Sequence, residues 1–553
     1  MRHSLFVASG NKASCPRKEL EVSEVTMKKN LTRRSFIRNG AYASLAAGLS
    51  ATLGCGSGSK GNGGTSYSVT KAVVIGSGFG GSVAALRLGE AGISTALIER
   101  GKYWAYTDEN SFPTLASGFA GDKRTTWLSD FDANTGQIPV ERYTGMLERI
   151  PGDTTYGVVG AGLGGGSLVY GGVLLQPKQE IFEQVFPHIS YAEMDAVYYP
   201  RVLNMVSGGP IPDDVLATDS YSAKRAFIDN ATAAGMDVVK SHVGFDWDVI
   251  RQEVTGAITP FASVGDYVYS CNSNAKNTLD KNYISMALAT GNVEVHTLHN
   301  VITITERFDG SYRVYCDVLN EDGSVAYEHV INCQYVFMAA GSINTTKLLL
   351  KADALRDLRG LNSQVGRNWG GNGDELTARM GVSSHSLGAV QGGPASIAAF
   401  DLNNAIKSVG FMHSPANQGF PYPTQLQMGM CVPDALGSIS YSLATDQAYI
   451  NWPLAANANS RQAIMSSLDK ITAQSGGTSL NSDALGGLAI WHPLGGVTMN
   501  EACDGDTGEI YGQPNMFVVD GAAMPGSTAA ANPSLTIAAN AERMMENIIP
   551  QIL

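Results

Sequence analysis

Between Lys71 and Glu99 the chain reads strand, glycine turn, helix, strand, acid, an order that few folds accommodate. Lys71-Ala-Val-Val-Ile75 is a short β-branched run with the character of a buried strand. Gly76-Ser-Gly78-Phe79-Gly80-Gly81 follows, then a helical stretch from Ser82 to Ala91, stopped by Gly92. Thr95–Ile98 is a second strand, closed by Glu99. A Gly-x-Gly-x-x-Gly turn in this frame, with an acid about 20 residues on, is the setting of a dinucleotide site. Gly76 allows the tight turn, Gly78 lets a pyrophosphate approach the backbone, and Gly81 lets helix and strand pack closely. The helix N-terminus offers free N–H groups to phosphate, and Glu99 is placed to accept from ribose hydroxyls. The fingerprint alone does not separate FAD from NAD. A second glycine segment, from Gly160 through Gly164, Gly166, Tyr170 and Gly171 to Gly172, lacks the strand–helix–acid frame. It suits backbone packed against a flat, extended cofactor.

The remainder of the chain is long and weakly charged. Of 553 residues 44% are hydrophobic and 16% charged, against about 25% charged in ordinary globular proteins, which excludes a disordered chain. The net charge of −12, with no basic run outside the N-terminus, excludes nucleic acid as a partner. None of the seven cysteines forms a Cys-x-x-Cys pair, so no metal site is expected. Five cysteines lie in the body, an odd number that fits free buried thiols better than a disulfide set.

The first 64 residues read as an export signal and tether. Thr32-Arg33-Arg34-Ser-Phe36-Ile37-Arg38 precedes a small, apolar run from Gly40 to Gly54, the pattern of a twin-arginine (Tat) signal. Met27 is an alternative start to Met1. Cys55, followed by a glycine-serine tether, is a candidate lipid anchor. The expectation is a Tat-exported protein, periplasmic or secreted, with a possible membrane tether through Cys55.

Further anchors follow along the chain: Gln176-Pro177-Lys178, Thr297-Leu298-His299, Phe337-Met-Ala-Ala-Gly341-Ser342, Val365-Gly-Arg-Asn-Trp-Gly370, Trp491-His492-Pro493-Leu494-Gly495-Gly496, Val518-Val-Asp520-Gly521 and Asn532-Pro533. With these in order, the chain resembles the glucose-methanol-choline (GMC) oxidoreductases, which hold FAD, and among them the bacterial cholesterol oxidases. The resemblance implies a Rossmann-like α/β FAD-binding domain, discontinuous over 68–175, 290–370 and 485–553. It also implies a sheet-and-helix substrate domain over 176–289 and 371–484. It places Phe79, Gly80, Glu99, Gly166, Gly171, Val301, Asp520 and Gly521 against FAD, with Tyr170 where the family has asparagine. Val301 by itself reads as plain core. Asp520 ends a buried-looking strand, where a carboxylate without a partner is costly and a ribityl hydroxyl would serve.

Oxidising an alcohol requires a base, and histidine has the right pKa range. His492, held extended by Pro493, is the candidate. Asn532 begins the last helix and reads equally as its N-cap, with Pro533 at the first position. The resemblance gives His492 and Asn532 together the substrate hydroxyl. It implies a hydrophobic alcohol, a sterol above all, with oxygen or another electron acceptor. The family's isomerising glutamate falls at Met412, so weak or absent double-bond isomerisation is expected. His413 should face away from Met412. Asp374 and Glu375 are candidates to substitute for that glutamate, against the plainer reading of a solvated turn. The aromatics Trp247, Phe261, Tyr267, Tyr269, Tyr283, Phe400, Phe411, Phe420 and Tyr422 are candidates to line an apolar cavity.

Overall fold

The computed structural model describes residues 64–553 apart from 384, 389, 417–422, 486 and 488. The twin-arginine segment, Cys55, Phe420 and Tyr422 therefore lie outside the described residues.

The β-branched run becomes the centre of a five-stranded parallel sheet. Its order is Met516–Val518, Tyr335–Met338, Ala72–Ile75, Thr95–Ile98 and Val293–His296. Ala72–Ile75, Thr95–Ile98 and Tyr335–Met338 are buried at every position, as a sheet covered on both faces requires. The helix Phe79–Glu90 makes the first crossover and packs against the helices Tyr283–Ala289 and Pro533–Ile552. Numbered along the chain, the strands lie in the order 5-4-1-2-3. The order reverses between Ala72–Ile75 and Tyr335–Met338, and the crevice beyond the C-terminal ends of those strands is the expected ligand position.

A four-stranded sheet flanks this core, in the order Thr65–Val69, Val325–Cys333, Tyr312–Leu319 and His299–Glu306. A separate antiparallel six-stranded sheet runs Thr478–Leu480, Glu375–Met380, Thr424–Met430, Val409–Ser414, Ile397–Asp401 and Asp237–Lys240. Its two faces follow the period of two that strands impose. Ile397, Ala399, Val409 and Phe411 pack with Phe227 and Ile464 of the covering helices Ser222–Ala233 and Ala458–Ala473. Ala398, Phe400, Met412 and Met430 form the opposite face.

The segment 176–289, expected to lie wholly in the substrate domain, divides. Phe182, Tyr199 and Val202 at one end and Leu279, Tyr283 and Ala287 at the other join the core of the parallel sheet. Only the middle of the segment packs with the antiparallel sheet. The reason is amphipathic: these end helices bury their apolar sides against the helices Phe79–Glu90 and Pro533–Ile552, the nearest uncovered apolar surface. All five described cysteines are free and buried. Among the described residues no helix is long and apolar enough to cross a membrane.

Candidate active site

A cavity of about 570 Å³ opens at the strand-order reversal and reaches the inner face of the antiparallel sheet. Of the fourteen residues singled out from sequence, thirteen line it, namely His492, Asn532, Gly76, Gly78, Phe79, Gly80, Glu99, Gly166, Tyr170, Gly171, Val301, Asp520 and Gly521. Gly81 does not line it, but holds the turn closed: a Cβ there would come 1.9 Å from the Gly76 carbonyl oxygen.

One end of the cavity is made of backbone. Gly76 has φ +104°, and a Cβ on it would meet the Ala339 carbonyl at 2.1 Å. A Cβ on Gly80 would meet the Val519 carbonyl at 2.0 Å. Thus the glycine turn is wedged between the ends of the fourth and fifth strands. Gly78 and Gly166 differ, having no neighbouring atom within 4 Å of a would-be Cβ. They face open space, so a planar or phosphate-bearing group can lie against bare main chain. Gly78 caps the helix Phe79–Glu90 without a side-chain bond, and its first turn holds no acid. Those N–H groups are therefore left unopposed, as an anion site requires.

Glu99 is firmly held. One oxygen accepts from the Ser77 hydroxyl at 2.6 Å and the Ser77 N–H at 3.2 Å. The other accepts from the N–H groups of Gly101 and Gly162 at 2.9 and 3.2 Å. Asp520, a candidate for a ribityl hydroxyl, already has three protein donors. It accepts from the N–H groups of Gly341 and Ala522 at 2.7 and 2.8 Å and from the Thr345 hydroxyl at 2.7 Å. The turn Gly521–Ala523 begins at Asp520, which caps it. Burial still pushes this carboxyl up, to about 6, against those hydrogen bonds.

Tyr170 stands edge-on to Phe79, ring centroids 5.6 Å apart. Its hydroxyl lies against Gly244, where a Cβ would approach it to 2.0 Å. A missing side chain just beyond the strand His242–Val243 thus makes room for the larger ring. Val301 lines the cavity at an irregularity in its strand, between Val301 and Thr303.

The opposite end is made of side chains. His492 Nδ1 lies 2.9 and 3.0 Å from the two oxygens of Asp374, whose side chain is fully buried. Asp374 is therefore no solvated turn residue. Burial pushes its carboxyl up, and the neighbouring His492 draws it back down. Asn372, with φ 60°, ties the Asp374 turn to the segment before Asn532, accepting from the Thr528 N–H at 2.9 Å and donating to the Ala531 carbonyl at 2.9 Å. Glu375 turns away, bound by Arg461 and by the Ser482 hydroxyl at 2.6 Å. A carboxylate only accepts, so it holds the hydrogen on His492 Nδ1 and leaves the Nε2 lone pair free.

Asn532 occupies the N-cap position of Pro533–Ile552 but makes no capping bond. Its amide instead accepts from the Leu175 N–H at 3.0 Å and donates to the Val173 carbonyl at 2.7 Å. One amide hydrogen is left over. Met412 and Ser414 line the cavity, whereas His413 is turned to the helix side against Phe227, ring centroids 5.3 Å apart. Of the described aromatic candidates only Tyr267 lines the cavity. Trp247, Phe261 and Phe411 belong to the helix-side core, Tyr283 to the parallel-sheet core, and Tyr269 and Phe400 to smaller clusters. Apolar composition marked them as buried but carried no information on which buried surface each would join.

Two GMC oxidoreductase models match, over residues 60–370 and 454–541. The chain belongs to the GMC oxidoreductase family. GMC oxidoreductases bind FAD, and FAD is the cofactor for which the glycine cradle is shaped. Cholesterol oxidase of Mycobacterium tuberculosis is 27% identical over 308 residues, 53% of this chain and 50% of that one. The chain thus matches half the length of that relative. Cholesterol oxidase of Acinetobacter baumannii is 24% identical over 86% of this chain and 94% of its own. In fold, a fungal aryl-alcohol oxidase aligns with TM-score 0.59 at 14% identity, covering 87% of this chain and 99% of that one.

Asp374 is the functional neighbour that sequence reasoning set aside. Its signal was available in Gly371-Asn-Gly-Asp374, a turn immediately before a strand that leads into a buried sheet.

Proposed function

We propose that the chain oxidises a hydrophobic alcohol, a sterol-like 3β-hydroxyl, to the ketone, with weak or no double-bond isomerisation. The observation that carries this reading is the His492–Asp374 pair, with Nε2 free on the cavity wall that also holds Asn532. His492 Nε2 accepts the hydroxyl proton, and Asp374 fixes the tautomer and offsets the imidazolium charge. The spare Asn532 amide hydrogen donates to the substrate oxygen. Bound FAD supplies the acceptor for the hydride that leaves the carbinol carbon. Phe79, Gly78, Gly166, Gly171 and Gly521 would hold it, and Pro533–Ile552 directs its positive end toward the same cavity. The apolar face bearing Met412, Leu426 and Met428 suits a bulky apolar substrate. Among the described residues no carboxylate stands beside Met412 on that face to move a ring proton, and a thioether cannot do so.

The test is anaerobic mixing of FAD-loaded protein with a 3β-hydroxysterol while following the flavin absorption band. Bleaching is the expected result. Admitting air then tells whether oxygen or another acceptor takes the electrons. Bound, oxidised FAD that does not bleach overturns the sterol reading. Tyr170 and Met412, the two departures from the family pattern, then point to a different hydrophobic alcohol. Rapid conjugated enone from a Δ5-3β-hydroxysteroid would overturn the isomerisation part.

We also propose export through the Tat translocase, resting on Arg33-Arg34 and the apolar run after them, with Cys55 as a lipid tether. Replacing both arginines by lysine should retain the protein in the cytoplasm.

A further inference from the structure

Three of the nine histidines meet at one place, outside the proposed reaction chemistry. His296 ends the edge strand of the parallel sheet, His299 begins the first strand of the hairpin beside it, and His329 lies in Val325–Cys333. The register puts His299 opposite Val318, and His329 opposite Cys316. Residues two apart on the middle strand share a face, so both imidazoles rise from the same side of that sheet. His296 arrives from the neighbouring sheet. One ring nitrogen from each of the three lies within 4.8 Å of the others. The ring centroids are 5.1, 5.3 and 5.6 Å apart.

The surroundings orient these rings as ligands are oriented. His299 Nδ1 lies 2.8 Å from the Thr297 carbonyl, which can only accept, so the hydrogen is on Nδ1 and the Nε2 lone pair is free. His329 Nε2 is bound to the Ser68 hydroxyl at 2.9 Å. Glu294 Oε2, on an exposed side chain, lies 3.7 Å from His296 Nε2. Burial, together with the neighbouring imidazoles, keeps His299 and His329 below the usual histidine range, His329 at about 4. Burial also lowers His296. Two buried imidazoles and one partly exposed imidazole, collected at one point, desolvate one another without any compensating hydrogen bond between them.

We propose that His296, His299 and His329 form a binding site for a divalent transition-metal ion of the zinc type. Zinc–nitrogen bonds of about 2.0–2.1 Å set tetrahedral ligand nitrogens roughly 3.4 Å apart, so the rings close by about an ångström through side-chain rotation. Glu294 or water completes the coordination. The ion staples the edge of the parallel sheet to the four-stranded sheet. His299 and Val301 also line the cofactor cavity, so the staple braces the cavity wall. The expectation of no metal rested on the lack of Cys-x-x-Cys pairs. The His296-x-x-His299 spacing was present, but the third ligand lies 30 residues on, across a hairpin.

The test uses FAD-loaded protein carrying no histidine tag, stripped with chelator, incubated with Zn(II) and desalted. One zinc retained per chain and a raised melting temperature are expected. His296→Gln and His329→Gln should each lower zinc affinity by at least about tenfold and remove the thermal shift, with FAD content and turnover unchanged. His296 is partly exposed, so its variant is the one expected to fold without difficulty. X-ray absorption at the zinc edge of the wild type should show imidazole scattering from three rings, a readout that needs no variant. Wild-type protein that retains no zinc overturns the proposal, and so do variants that retain as much zinc as wild type. In either case the three rings are simply packed aromatic core.

Discussion

At the glycine end of the cavity the walls are main chain, and at the histidine end they are side chains. Gly76, Gly78, Gly80 and Glu99 come from one stretch of 24 residues and are set by a single strand–turn–helix–strand unit. His492, Asp374, Asn532 and Met412 come from four separate segments. They are brought together by two sheets and by one polar link through Asn372. At Gly76, Gly80 and Gly81 the glycine end is intolerant of added volume, because a Cβ there would meet backbone carbonyl groups. The histidine end depends instead on individual polar atoms, the His492–Asp374 contact and the Asn532 amide. Each end also buries an aspartate, used differently. Asp520 is satisfied by two N–H groups and a hydroxyl and shapes a turn, whereas Asp374 is directed at one imidazole.

The contrast can be broken by mutation. Gly81→Ala drives a Cβ to 1.9 Å from the Gly76 carbonyl, so the largest effect is expected there. We expect a loss of roughly 3–5 kcal/mol and no retained flavin, read by thermal unfolding and by the flavin absorbance of desalted protein. A variant that keeps FAD would show that the turn can relax. At the other end His492→Asn should keep FAD and lower kcat by about 10²–10⁴-fold, read by anaerobic flavin bleaching and steady-state turnover. Loss of FAD instead would make His492 a structural residue.

Asp520 gives a pH test of the backbone end. Its folded carboxyl sits near 6 rather than the ordinary 3.8, so between those values the folded state binds more protons than the unfolded chain. Stability from this group therefore falls as pH rises through that window, by at most about 3 kcal/mol. Flavin-free wild type should lose stability relative to Asp520→Asn as pH is raised from 4 to 7, measured by denaturant unfolding. A difference that stays flat with pH would contradict the assignment. Asp374→Asn should have the smallest effect, a fall in kcat of about 10–100-fold with FAD content unchanged and an altered pH profile of kcat/KM. Wild-type kcat at every pH would dissolve the pair.

What could be read from the chain alone follows from range. The dinucleotide turn is local: its glycines, its helix and its acid lie within one supersecondary unit, so spacing carried the geometry. Alternation along Val409–Ser414 likewise told Met412 from His413, because a strand separates neighbours by its own pleat. The partner of His492 was not local. Asp374 precedes it by 118 residues, in a turn whose composition is that of any surface loop. Only the packing of that turn against the 527–532 segment buries it and aims it at the imidazole. The same holds for Tyr170, whose ring fits because Gly244 leaves a space, and for the three histidines gathered from two sheets. Short-range order is fixed by backbone sterics and pattern, which a sequence displays. The pairing of distant polar groups is decided by which surfaces bury one another, and that exists only in the folded chain.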